Sequence, residues 1–88
     1  VDTHAPQTTI TAGPSGKTQN RRPTFKFGSS EAGSTFRCAL DFGPYGPCTS
    51  PHQTSKLGFG AHVFRVRARD RAGNVDSTPA QRSFSVVH

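Results

Sequence analysis

The chain has 88 residues, with eleven Lys/Arg against five Asp/Glu and a formal net charge of +6. That length suits one domain with a modest core, and no apolar run approaches the roughly 18 residues of a membrane-crossing helix. Hydrophobic residues make up only 31%, Trp and Met are absent, and seven Phe must carry much of the burial. The positive excess either favours anionic partners such as polysaccharide, nucleic acid or lipid headgroups, or does no more than keep the domain soluble.

In chain order, residues 1–6 read as an inter-domain linker, extended by Pro6, with the folded domain expected over residues 7–88. The start shows no basic region followed by an apolar one, so the expectation is a segment of a longer secreted chain. Gln7–Ala12 is a first strand, rich in β-branched residues. Gly13–Gly16 is a turn cluster and Lys17–Arg22 a polar loop. Pro23–Gly28 is a second strand with Phe25 and Phe27 inward; Pro23 stands at its first position, where a missing N–H is tolerated.

Ser34–Asp41 is a third strand with Phe36, Cys38 and Leu40 on one face and Thr35, Arg37, Ala39 and Asp41 on the other. A reversal through Phe42–Pro47 leads to a short strand at Cys48–Thr49, and an edge segment covers His52–Leu57. Gly60–Asp70 is the longest strand: His62, Phe64, Val66 and Ala68 share the buried side, and Val63, Arg65, Arg67 and Arg69 the other. The last strand is Gln81–Val87, with Phe84 and Val86 inward. About seven short strands punctuated by turn residues, with no helical period, predict an all-β antiparallel β-sandwich.

Cys38 and Cys48 stand on opposite arms of the reversal. If directly opposed, their Cα atoms fall within the ~7 Å that a disulfide tolerates. Such a bridge would pin a hairpin inside one sheet, unlike the antibody-type bridge between sheets. Two free thiols in a cytosolic domain are the alternative, disfavoured by the absence of metal-ligand spacing.

These elements resemble the bacterial Ig-like repeat modules of secreted and surface proteins, particularly the actinobacterial type. The resemblance is carried by Ala5–Ile10 with Gly13–Gly16, Pro23–Phe27, Gly33–Asp41, Pro47–Pro51, Gly60–Ala68 and the turn Asp70-Arg71-Ala72-Gly73-Asn74-Val75-Asp76. It implies a seven-stranded Ig-like or fibronectin-III-like sandwich with one hairpin disulfide. Such modules often stand in tandem, as extracellular or cell-surface spacers or adhesion units. Their partners are adjacent domains of the same chain. The resemblance implies no enzymatic activity, no cofactor and no ligand site. The high Arg content departs from the usual low or acidic charge of such modules.

Within that architecture the third, sixth and seventh strands share a sheet whose outer face carries Arg37, Arg65, Arg67, Arg69, Ser83 and Ser85. Arg at alternate strand positions lie roughly 7 Å apart, a spacing able to engage repeated sulfate, phosphate or carboxylate groups. The other reading is a solvated face whose charges discourage aggregation. Anionic polysaccharide or a surface protein is therefore the alternative partner; nucleic acid is disfavoured because no stacking aromatics alternate with the Arg.

Phe42 and Tyr45 at the hairpin tip either contact a sugar ring or partner, or fold back over the disulfide. Asp70, Asn74 and Asp76 supply oxygen atoms near one turn, but too few for Ca²⁺ and in basic surroundings. Capping of the turn backbone is the expected role, and no metal site is expected. His62 is expected to bond a nearby backbone carbonyl, in the place of a corner tyrosine. No nucleophile elbow appears and no His–acid pair is evident from position, so catalysis is not expected.

Overall fold

The computed structural model describes residues 6–41 and 43–88. Every regular element among them is a strand: β1 (Thr8–Ala12), β2 (Gly16–Thr18), β3 (Thr24–Ser29), β4 (Thr35–Leu40), β5 (Gly46–Cys48), β6 (His52–Gln53), β7 (Gly60–Arg69) and β8 (Ala80–Val86). They form two sheets, β1-β3-β6 and β2-β8-β7-β4-β5. No helix among the described residues is long and apolar enough to cross a membrane.

Alternation along the strands decides which face of each sheet is buried. Phe25 and Phe27 from β3 meet Phe64 and Val66 from β7 and Phe84 and Val86 from β8, with Leu57 from the β6–β7 connection. Phe25 and Phe64 stack with ring centres 4.1 Å apart and planes 6° from parallel. Phe36 meets the edge of Phe27 at 5.0 Å. Five Phe rings, those of Phe25, Phe27, Phe36, Phe64 and Phe84, thus meet between the sheets, which offsets the low apolar content.

Four details differ from the expected layout. Gly16–Thr18 belongs to a strand, where a turn end and a polar loop were expected. It pairs parallel to β8, so the sheets are not purely antiparallel, and the strands among the described residues number eight. The expected edge segment His52–Leu57 pairs only through His52 and Gln53; Leu57 instead donates its N–H to the Arg21 carbonyl at 2.8 Å and enters the core. Ala39 and Val63, placed on the outer face by parity, are buried. Of the residues expected to form a linker, 1–5 lie outside the described residues, whereas Pro6 is fully buried in the packed body.

The chain changes sheets between β1 and β2. Gly13 sits at the bend with φ +140°, and a Cβ there would lie 2.3 Å from the Phe25 ring. Only glycine combines that dihedral with that approach. Arg82 holds the crossing: its Nη1 donates to the Gly13 carbonyl at 2.8 Å and its Nη2 to that of Ile10 at 3.3 Å.

The Cys38–Cys48 disulfide is present, with a Cα–Cα distance of 5.9 Å. The cysteines are not directly opposed. The register pairs Cys38 with Gly46 and Phe36 with Cys48, so the bridge runs diagonally. A two-residue offset leaves both side chains on the same face, where they pack against the core.

Candidate functional site

The antiparallel register of β4 and β7 builds the Arg face. Arg37 stands directly opposite Arg67, Thr35 opposite Arg69 and Ala39 opposite Arg65. On the other side of β7, Arg65 faces Gln81, whose Oε1 accepts from Arg65 Nε at 3.4 Å. All four arginines expected on this face are therefore brought together. Among the described residues, no carboxylate lies within ion-pair distance of Arg37, Arg67 or Arg69. Placing like charges opposite one another destabilises a strand pair.

Tyr45 joins this face. The Arg67 Cζ lies 4.1 Å from its ring centre. This is a cation–π contact, and it limits where the guanidinium can go. Phe42 lies outside the described residues. Arg37, Arg67, Arg69 and the half-exposed Val75 border a cleft of about 200 Å³. The Arg67 Nε is buried and lacks a hydrogen-bond partner among the described residues. A broader depression of about 630 Å³ lies over β7 and β8, lined by Ala61, Val63, Gln81, Ser83 and Ser85, with Asp41 at its rim.

Asp70, Asn74 and Asp76 organise the β7–β8 connection. Asp70 accepts from the Asn74 N–H at 2.8 Å and from its side-chain amide at 3.0 Å. The side-chain bond from Asn74 holds the Asp70 carboxyl below the ordinary carboxylate range, against the opposing effect of burial. Asp76 reaches further. It accepts from the Thr8 N–H at 2.9 Å and from both the N–H and hydroxyl of Thr78 at 2.8 Å, tying β1 to the turn. Burial pushes Asp76 up, but its bonds with Thr8 and Thr78 together outweigh this and leave it below its ordinary value. Thr8 completes the tie by accepting the Ala68 N–H at 2.9 Å. Among the described residues, no three His, Cys, Asp or Glu side chains gather in a metal-binding group.

A His–acid pair not anticipated from position lies at the far end of β7. His62 Nδ1 is 2.6 Å from Asp41 Oδ2, and Nε2 is 2.8 Å from the Gly58 carbonyl. Asp41 follows β4 with φ +53°, a turn of the chain that brings its carboxylate back to β7. Its other oxygen accepts the Val63 N–H at 2.9 Å. The bond to Asp41, and then that to Gly58, raise the His62 pKa. With both ring nitrogens engaged, the imidazole is a strand clamp in this arrangement. Arg82, equally unanticipated, has its signal in the pattern: it occupies the inward parity of Phe84 and Val86.

The chain matches no protein-family model and no curated protein.

Proposed function

We propose that this chain is a non-catalytic Ig-like, or fibronectin-III-like, module of an extracellular or cell-surface protein, serving as a spacer or adhesion unit beside other domains of the same chain. The observation that carries the reading is the division of the first strand region between sheets. β1 pairs with β3 in one sheet, and after Gly13 β2 pairs parallel with β8 in the other. The hairpin disulfide is compatible with an extracellular setting. Protease treatment of intact cells that make the protein should degrade it, with Cys38 and Cys48 found oxidised. Full protection with both thiols free would overturn the reading.

A second reading is favoured by one specific observation: Arg37 and Arg67 face each other with no carboxylate among the described residues within ion-pair distance. On this reading the adhesive surface is the Arg face, and its partner is an anionic polysaccharide. A glycan array probed at two salt concentrations tests it. Salt-sensitive binding to acidic glycans, lost when Arg37, Arg65, Arg67 and Arg69 become Ser, supports adhesion; a blank array leaves the spacer role alone.

A further inference from the structure

The cleft beside Arg67 is more selective than a charged surface. Three arginines border it, and among the described residues no carboxylate does. The Tyr45 ring, 4.1 Å from Arg67 Cζ, holds the guanidinium in place, so less side-chain freedom remains to be lost when an anion arrives. The buried Arg67 Nε has no partner among the described residues. The exposed end of the guanidinium is therefore the part of Arg67 that an anion in the cleft would meet.

We propose that this cleft is a subsite for one sulfate-ester group of a sulfated polysaccharide lying along β7, an inference that rests on the anionic-glycan reading. A sulfate ester offers three free oxygens, matching three arginines, whereas a carboxylate offers two. Guanidinium is weakly hydrated, and Tyr45 and Val75 add apolar surface around it. That setting suits a weakly hydrated monoanion better than a phosphate dianion. Val75, 42% exposed, gives the C–H face of a sugar ring a place to rest. Arg65, two positions before Arg67, continues the path for a neighbouring anionic group about 7 Å away.

Calorimetric titration of the whole chain with a heparin-derived oligosaccharide tests the subsite. A fully desulfated oligosaccharide that keeps its carboxylates should bind about tenfold more weakly or worse. Arg67→Lys keeps the charge but loses Nε and the planar fork; Tyr45→Leu loses the stack. Each should weaken heparin binding by about tenfold, with circular dichroism showing an intact fold. Arg22→Gln removes an exposed charge elsewhere and should change binding by less than about twofold.

Arg67→Lys binding as wild type, or Arg22→Gln losing as much as Arg67→Lys, would overturn the subsite while leaving a diffusely attractive Arg face. Equal binding of sulfated and desulfated chains would overturn it in favour of carboxylate recognition. A preference for inorganic polyphosphate would overturn it in favour of phosphate. Failure of every anionic glycan to bind at low salt would overturn both the subsite and the anionic-glycan reading.

Discussion

His62 and Asp41 clamp β7 to the end of β4, with Nδ1 and Oδ2 2.6 Å apart. The second ring nitrogen meets a backbone carbonyl, so both partners of the imidazole are acceptors. The ring satisfies both only when it carries two protons. Its folded pKa is accordingly raised above 6.5, chiefly by Asp41. A raised folded value means that the clamp contributes fully below about pH 6.5 and is lost as pH rises through the folded pKa. Urea midpoints at about pH 6 and about pH 9 should therefore fall with pH by more in wild type than in Asp41→Asn. Because Asp41 is 44% exposed, the difference should be about 1 kcal/mol or less. Parallel pH curves for the two proteins would mean that the clamp carries no such linkage.

Asp76 works in the opposite direction. Its folded pKa is depressed, so its contribution is present above the ordinary carboxylate value of 3.8 and disappears as pH falls through the lower folded value. Asp76→Ala leaves the Thr8 N–H and both Thr78 donors without their acceptor. The expected cost at neutral pH is about 2–4 kcal/mol, read from denaturation midpoints. Asp76→Asn, which keeps one oxygen, should lose less.

At the sheet crossing, Gly13→Ala places a methyl group 2.3 Å from Phe25 at a φ of +140°. Neither the ring nor the bend can yield alone, because Phe25 is fully buried against Phe64. A loss of about 2–4 kcal/mol is expected. Gly16→Ala also has a positive φ, +78°, but meets no neighbouring atom within 4 Å and should cost distinctly less. Equal losses at the two positions would show that the dihedral, not the contact with Phe25, governs the crossing.

Removing the disulfide with Cys38→Ser and Cys48→Ser together should lower stability by about 2–3 kcal/mol, because a short loop is released in the unfolded chain. Phe36 and Leu40, which flank Cys38 on the same face, keep packing against the core, so the two-sheet fold should persist at room temperature. Amide exchange should quicken mainly in β5, whose pairing is confined to β4. Uniform quickening across β7 and β8 would show that the bridge instead supports the whole sheet.

Most strands were readable because their side chains alternate strictly, and parity survives errors of register. Cys38 and Cys48 illustrate this: direct opposition was expected and diagonal placement found, yet the bridge faces the core either way. β2 was not readable. Gly16-Lys17-Thr18 has no apolar alternation, and its partner β8 lies far along the chain. The same holds for the pairs that close the fold. Asp41 meets His62, Arg82 meets the Gly13 carbonyl, and Tyr45 meets Arg67 through strand register and backbone turns that local composition does not encode. The Arg face itself was legible, since it needs only parity and the adjacency of β4 and β7; its cleft needed Val75, and the ring over Arg67 needed Tyr45, both outside those strands.

The parallel pairing of β2 with β8 has a mechanical consequence. Gly16 lies beside Phe84 and Thr18 beside Val86, and the Val87 N–H adds a bond to the Thr18 carbonyl at 2.9 Å. Pulling the chain from the N-terminal side of β2 and the C-terminal side of β8 drags these strands past each other lengthwise. Their cross-strand bonds then share the load at once instead of peeling one by one, as they would if a hairpin were opened from its ends. Three residues at a sheet edge thus resist the sliding of β2 along β8 as a set, not singly.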